Sequence, residues 1–255
     1  MRRMAKISFE GRKELDYRVN EAYKSLRTNV QFSGTGVKVI DFTSCTPNEG
    51  KSSVSFNLAV SFAESGKKVI MIDADMRKSV LAGRYKVGGV DAGLAHYLSG
   101  QKTLDEVCLE TDIEGMDIIF SGPFVPNPAE LLESQSFHDL VQYCREHYDY
   151  VLIDTPPLGS VIDSAIVAKE CDGAIIVIEA DAVSYRFVQN VKNQLAKSDV
   201  KILGTVLNKV PMGNGKYGYG KYGKYGYGKY GYGKYGYGKY GEYGDYGAYG
   251  HEENE

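Results

Sequence analysis

The chain has 255 residues, 43% of them hydrophobic, which suits one large α/β domain with a tail or two small domains. A formal net charge of −3 gives no overall attraction to nucleic acid, so we expect no nucleic-acid partner. The cysteines are widely spaced and form no C-x-x-C pair, which predicts reduced thiols. No apolar run comes near the roughly 18 residues of a membrane span, so we expect a soluble, cytoplasmic protein.

Along the chain, helical patterns alternate with short apolar runs. Residues 1–18 are polar and are expected to form a flexible N-terminal segment. The predicted helices cover 17–32, 51–66, 93–100, 128–147 (one or two helices), 164–171 and 184–198. The predicted strands cover 37–44, 67–75, 116–122, 148–157, 173–180 and 201–210. Strands that are apolar without alternation are typical of a parallel sheet covered on both faces. The sequence therefore predicts an α/β fold with a doubly wound, mostly parallel sheet over residues 19–212.

The first motif is FTSCTPNEGKSSV, in which Gly50, Lys51 and Ser52 open a helix directly after a strand. This context is typical of a phosphate-binding loop, where backbone N–H groups face the phosphates, the lysine adds a positive charge and the hydroxyl reaches Mg²⁺. The first glycine of G-x-x-x-x-G-K-[ST] is replaced by Cys45. Taken alone, the segment could also be a strand-to-helix turn with a surface lysine.

Two further motifs place carboxylates at strand ends. Asp73, Asp75 and Arg77 follow VIMI, and Asp154 follows YVLI in the Walker B arrangement. In a doubly wound sheet the carboxyl ends of the strands face the ligand crevice, where such carboxylates can hold hydrated Mg²⁺ or accept a proton. Each aspartate alone could be a solvated loop residue. Three motifs in this order, separated by helix-sized gaps, favour a nucleotide site.

Together these segments resemble a known family. The chain resembles the bacterial tyrosine kinases of capsular and exopolysaccharide synthesis, in the Gram-positive form whose cytoplasmic kinase is a separate polypeptide. The segments that carry the resemblance are PNEGKS, DADMR, DTPP, PNPAELLES and the tyrosine-rich C-terminus. The resemblance covers nearly the whole chain. It implies a P-loop NTPase fold, ATP and Mg²⁺ as cofactors, and autophosphorylation of tyrosines in trans.

The resemblance also implies residue roles. Lys51 would contact the β- and γ-phosphates, Asp73 would accept the tyrosine proton, and Arg77 would stabilise the loop or the phosphates. The metal ligands would be Ser52, Asp75 and Asp154, although the division of roles between Asp73 and Asp75 stays open. The nucleotide-binding set would be Asn48, Glu49, Gly50, Lys51, Ser52, Ser53 and Asn208. Asn208 stands where related P-loop ATPases read adenine with an amide, but it could equally form a turn after a strand.

Partners follow from the same resemblance. It implies a membrane-bound polysaccharide co-polymerase adaptor whose cytoplasmic segment recruits the kinase to the inner face of the cell membrane, a homo-oligomeric ring and a cognate phosphotyrosine phosphatase. Two positions depart from the family pattern. Asn48 replaces a usual glycine, and the helical E-x-x-R-x-x-R subunit contact becomes Glu21, Lys24 and Arg27. Because lysine lacks the planar fork of arginine, the resemblance implies ring assembly through this contact less strongly than the complete pattern would.

The last segment, residues 213–255, is rich in glycine and tyrosine and is expected to be disordered. Its thirteen tyrosines, expected to be phosphoacceptors, are Tyr217, Tyr219, Tyr222, Tyr225, Tyr227, Tyr230, Tyr232, Tyr235, Tyr237, Tyr240, Tyr243, Tyr246 and Tyr249. Without the kinase motifs the tail could be a linker, an adhesive segment or an RNA-binding tract. The Gly-rich part of this tail, residues 213–250, would have a root-mean-square span of roughly 30–37 Å, enough to reach a neighbouring subunit.

The sequence leaves two alternatives to a kinase. A partition-type P-loop ATPase typically has a second lysine early in its phosphate loop, and SCTPNEGKS has none. A non-enzymatic scaffold would have a degenerate site, whereas the lysine, serine and three aspartates of the motifs are intact. The sequence therefore favours an ATP-dependent protein-tyrosine kinase. The resemblance implies that it regulates polysaccharide synthesis and export.

Overall fold

The computed structural model describes residues 6–88, 90 and 92–211. Its strands are β1 (Lys6–Ile7), β2 (Val39–Ser44), β3 (Val69–Asp73), β4 (Cys108–Thr111), β5 (Met116–Ile119), β6 (Tyr150–Asp154), β7 (Gly173–Glu179) and β8 (Ile202–Asn208). Its helices are α1 (Tyr17–Phe32), α2 (Lys51–Glu64), α3 (Leu81–Arg84), α4 (Leu94–Leu98), α5 (Leu104–Val107), α6 (Pro128–Leu132), α7 (Gln135–His147), α8 (Asp163–Ala168) and α9 (Tyr185–Ala196).

These strands form one sheet in the order β1-β4-β5-β3-β6-β2-β7-β8. All neighbouring pairs are parallel except β4 and β5. The chain therefore winds in both directions from the centre of the sheet, and the predicted doubly wound, mostly parallel α/β fold is confirmed. The central strands β3, β6 and β2 are adjacent, and Asp73 is in register with Asp154. This order brings the ends of all three motif-bearing strands together.

The side chains of the central strands point alternately to the two faces of the sheet and pack into two separate hydrophobic cores. On one face, Phe42 and Leu152 pack with Phe56 of α2. On the other, Val151 and its neighbours pack with Phe137 of α7. Because both faces of these strands are covered, their sequences are apolar without alternation. The segment predicted as one or two helices at 128–147 forms two, α6 and α7.

The structure differs from the expected flexible segment at residues 6–9. β1 pairs with β4, and both Ile7 and Phe9 are buried. The Phe9 ring packs edge-on against Phe56, with centroids 4.8 Å apart, so the segment contributes to the core. Two apolar residues in a polar stretch are too weak a pattern to predict this. The short elements β4, α3 and α5 were also not predicted.

The expected disordered tail and its thirteen tyrosines lie outside the described residues. Within those residues, none of the helices combines the length and apolar character needed to cross a membrane.

Candidate functional site

The loop between β2 and α2 is shaped by its backbone and by Glu49. Asn48 and Gly50 have positive φ angles of 70° and 89°, conformations that asparagine and glycine adopt more readily than other residues. Asn48 therefore fits where the family usually has glycine. The Glu49 side chain turns inward, and its Oε2 accepts hydrogen bonds from the N–H groups of Cys45 (2.6 Å) and Thr46 (2.7 Å). Glu49 thus braces the loop through its carboxylate.

The end of β8 supports the same loop from outside. Asn208 Nδ2 donates to the carbonyl oxygen of Glu49 at 2.9 Å, and Lys209 Nζ donates to that of Asn48 at 2.7 Å. A Cβ atom at Gly50 would overlap with Asn208 Nδ2, so a larger residue would displace the amide. The structure places Asn208 against the phosphate-binding loop, and its contact with adenine stays a prediction.

The predicted phosphate-binding lysine and Walker B aspartate contact each other. Lys51 Nζ lies 2.8 Å from Asp154 Oδ1, and their side chains are only 6% and 1% exposed. Ser55 Oγ also donates to Asp154 Oδ1, at 3.2 Å. In a nucleotide complex, phosphates would supply a negative charge to Lys51 in place of Asp154, and a bound cation would supply a positive charge to Asp154 in place of Lys51. Nucleotide binding can therefore exchange this buried ion pair for lysine–phosphate and carboxylate–metal contacts.

Asp73 and Asp75 differ in their surroundings. Asp73 is fully buried, and its Oδ2 accepts a hydrogen bond from Ser79 Oγ at 2.5 Å. Burial, and then the nearby charge of Asp154, raise the pKa of Asp73 to about 7. Asp75 lies on the pocket wall, and its Oδ1 accepts from the N–H of Lys78 at 2.9 Å. A carboxylate with a pKa near neutrality suits a general base.

Arg77 forms a two-point ion pair with Asp163, the first residue of α8. Arg77 Nε and Nη2 donate to Asp163 Oδ2 and Oδ1 at 2.8 and 2.9 Å. Asp163 is completely buried. Of the two roles predicted for Arg77, this contact supports stabilisation of the loop. Asp163 itself was not predicted, because an acidic residue at a helix start is a common surface feature.

A cavity of about 190 Å³ lies beside these residues. The predicted site residues in its wall are Asn48, Glu49, Gly50, Lys51, Ser52, Asp75 and Arg77. Asp73, Asp154, Ser53 and Asn208 lie outside the wall, and the Ser53 hydroxyl contacts the guanidinium of Arg84. The wall also contains Lys78, Val80 and Arg84, which the motifs did not indicate. A larger cavity of about 690 Å³ lies between α8 and α9. Its wall contains Glu133 of PNPAELLES but none of the predicted site residues, so we assign the site by its chemistry.

The residues predicted as magnesium ligands supply suitable donors. Ser52, Asp75 and Asp154 carry a hydroxyl and two carboxylates, the oxygen ligands that Mg²⁺ prefers. In the described part of the chain no group of three or more His, Cys, Asp or Glu side chains could hold a metal by itself. Mg²⁺ usually binds through one or two carboxylates, water and substrate phosphates, so these three residues fit a magnesium–nucleotide complex.

Sequence reasoning also missed Asp41, a buried carboxylate inside β2. Its oxygens accept hydrogen bonds from Thr155 Oγ1 and Ser164 Oγ, both at 2.8 Å. Burial raises the pKa of Asp41 to about 7, and the two hydroxyls oppose this rise. The sequence does carry a signal for Asp41, since it is an acidic residue in the otherwise apolar start of VIDFTS, part of a predicted strand. An acidic residue at a position predicted to be buried is informative, because charged side chains are rarely buried without a partner.

We expect Asp41→Asn to flatten the dependence of stability on pH. The folded pKa lies above the ordinary value of 3.8, so stability from the protonated form is present at low pH and is lost as pH rises toward 7. Between about pH 5 and pH 7, the contribution of the Asp41 carboxyl to the free energy of unfolding of the wild type should fall by about 2 kcal/mol. Chemical unfolding at several pH values measures the slope, with the exposed Glu146→Gln as control. An unchanged slope in Asp41→Asn would contradict the prediction.

The fold and site define a P-loop nucleotide-binding protein. A family model described as an AAA domain matches residues 37–204. The chain is 42% identical to tyrosine-protein kinase CpsD of Streptococcus pneumoniae serotype 4, over 81% of this chain and 92% of that protein. It is 35% identical to tyrosine-protein kinase YwqD of Bacillus subtilis, over 74% and 80%. The chain belongs to the bacterial tyrosine-protein kinase family, as the motifs predicted.

Solved structures agree with this assignment. The kinase domain of Escherichia coli tyrosine kinase ETK matches with a TM-score of 0.74 and 32% identity, covering 82% of this chain and 86% of that one. The septum site-determining protein MinD from Pyrococcus horikoshii, complexed with Mg-ADP, matches with a TM-score of 0.60 and 24% identity, a likeness of fold alone. The comparisons favour the kinase over the partition-type ATPase.

Proposed function

We propose that this chain is an ATP- and Mg²⁺-dependent protein-tyrosine kinase that phosphorylates the tyrosine cluster of its own tail, mainly in trans between subunits. One observation carries the proposal. The phosphate-binding loop with Lys51 lies at the same sheet edge as Asp73 and Asp154, whose strands are adjacent and in register. Identity to proteins named tyrosine kinases identifies tyrosine as the acceptor.

Each residue has a physical task in this reaction. The loop amides and Lys51 bind the phosphates, while Ser52, Asp75 and Asp154 hold the metal. Bound Mg²⁺ neutralises charge on the phosphates. Asp73 accepts the proton of the tyrosine hydroxyl as the oxygen–phosphorus bond forms and ADP leaves. Phosphoryl transfer depends mainly on positioning and electrostatic stabilisation, so a preformed loop is well suited to it.

The proposed cellular role is regulation of capsular or exopolysaccharide synthesis and export. The kinase domain would span residues 19–212 and the phosphoacceptor tail 213–255. A membrane-bound co-polymerase adaptor would recruit and activate the kinase through its cytoplasmic segment, and a phosphotyrosine phosphatase would reverse the modification. Ring assembly through this helix would require Lys24 and Arg27 to exchange the contacts that they make within the chain, with Glu21 at 2.7 Å and with Ser61.

Trans transfer can be tested with two full-length variants that differ in function. Lys51→Met retains the acceptors and should lack catalysis, whereas a variant with all thirteen tail tyrosines changed to phenylalanine retains catalysis without those acceptors. After mixing with ATP, we expect phosphotyrosine on the Lys51→Met chain at a rate that rises with protein concentration. Mass spectrometry of the two chains provides the measurement.

Three outcomes separate the possibilities. Wild-type protein without phosphotyrosine, at all concentrations and with a candidate adaptor segment present, would overturn the kinase proposal. Label on the wild type but never on Lys51→Met in the mixture would show transfer within one chain. Label confined to residues outside 213–255 would overturn the role of the tail.

A further inference from the structure

The first turn of α8 connects three segments of the nucleotide site. Asp163 and Ser164 are both completely buried. Asp163 binds Arg77 from the loop after β3, and Ser164 Oγ donates to Asp41 of β2 at 2.8 Å. Asp41 in turn accepts from Thr155, the residue after Asp154. One helical turn is therefore linked to the loop after β3, to the interior of β2 and, through Asp41, to the residue that follows β6.

The contact between Asp163 and Arg77 is a bidentate arginine–carboxylate pair. Two parallel N–H···O bonds of 2.8 and 2.9 Å fix the guanidinium plane, which a single contact would leave free to rotate. A buried carboxylate is costly unless it is paired, and Arg77 is the cation that pairs with Asp163. This requirement ties the position of Arg77 to the start of α8.

Arg77 belongs to the same tight turn as Asp75. The N–H of Met76 donates to the carbonyl of Ala74 at 3.0 Å, and the N–H of Lys78 donates to Asp75 Oδ1 at 2.9 Å. Met76 is almost fully buried, so the turn is held on its inner side.

We propose that Asp163 is a positioning residue: through Arg77 it fixes the turn 73–78 so that Asp75 faces the pocket in the orientation that binds a magnesium–nucleotide complex. The proposal rests on the proposed function for the identity of this ligand. Groups that orient metal ligands typically affect metal affinity by about 10–100-fold when mutated. A direct contact of Arg77 with phosphate is the competing explanation, and the two make different predictions.

The test measures binding of a fluorescent ADP analogue to the full-length protein at increasing Mg²⁺ concentration. For Asp163→Asn we expect the Mg²⁺ midpoint to rise about tenfold, with binding in EDTA unchanged. Arg77→Gln should give a similar shift, and the double variant should be no worse than either single variant, because the two residues act as one unit. If Arg77 binds phosphate directly, Arg77→Gln weakens binding in EDTA while Asp163→Asn does not.

A second ion pair provides a matched control. Arg145 Nη1 lies 2.6 Å from Asp172 Oδ1, and Asp172 also accepts from the N–H groups of Lys38 and Val39 at the amino-terminal edge of the sheet. Asp172→Asn should leave the Mg²⁺ midpoint unchanged. If Asp163→Asn does not fold, Arg77→Lys keeps the charge but loses the two-point geometry, and it should still raise the midpoint.

An unchanged midpoint in folded Asp163→Asn, or an equal shift in Asp172→Asn, would overturn the positioning role. Its failure is distinguishable from failure of the proposed function. If the wild type binds Mg²⁺–ADP but forms no phosphotyrosine, the kinase proposal fails while the midpoint shift still supports the positioning role. If the wild type forms phosphotyrosine and the midpoint does not move, the positioning role fails alone.

Discussion

Replacing Lys51 by methionine is expected to lower phosphotyrosine formation by about 10²–10³-fold or more, the effect of removing one well-placed electrostatic stabiliser. The side chain of Lys51 supplies a positive charge to a loop otherwise built from backbone groups and the inward-facing Glu49. Charge developing on the transferred phosphoryl group would lose this partner. Anti-phosphotyrosine blotting and radiolabel incorporation with the purified full-length variant measure the loss.

The structure adds a consequence for stability. Lys51→Met leaves the buried carboxylate of Asp154 without its cation, and breaking such a pair typically costs about 3–5 kcal/mol. We therefore expect the unfolding temperature to fall together with activity. The control is Lys51→Met combined with Asp154→Asn, which removes both charges. This double variant should regain stability and stay inactive, whereas recovery of phosphotyrosine in either variant would contradict the assignment of the loop.

The sequence could predict where the site lies because the position of each motif depends on local pattern. Apolar strands ending in Asp73 and Asp154, and a glycine-opened helix at Lys51, place these residues at the carboxyl edge of any parallel sheet. The contacts between them depend on strand order, which a single sequence does not contain. The observed order β3-β6-β2 brings Asp154 beside both Asp73 and Lys51.

For the same reason, the motifs could not predict contacts between residues that are far apart in the sequence. Arg77 and Asp163 are 86 positions apart, and Asn208 is 159 positions from the carbonyl of Glu49 that it binds. The motif predicted that Glu49 lies at the nucleotide but not that its carboxylate turns into the loop. Nothing in the order of residues distinguishes an inward-facing glutamate from one that faces solvent.

Asp73→Asn should separate phosphoryl transfer from nucleotide binding. The Ser79 hydroxyl already donates to Asp73 Oδ2, which shows that this oxygen can accept from a hydroxyl, as a general base must from tyrosine. With its pKa raised to about 7, Asp73 can take up a proton near neutral pH, and asparagine cannot. We expect transfer to fall by about 10²–10⁴-fold, the usual contribution of general-base catalysis, while Mg²⁺–ADP binding is retained.

Asp75→Asn is the matched comparison, since it changes the same chemical group two residues away. Asp75 lies on the pocket wall and Asp73 does not, so Asp75→Asn should raise the Mg²⁺ concentration needed for ADP binding. Radiolabel transfer and Mg²⁺ titration on both variants decide the division of roles. If Asp73→Asn transfers phosphate normally, another group accepts the proton. If it instead weakens Mg²⁺-dependent binding as much as Asp75→Asn does, Asp73 acts through the metal, and its burial behind Ser79 serves to hold that geometry.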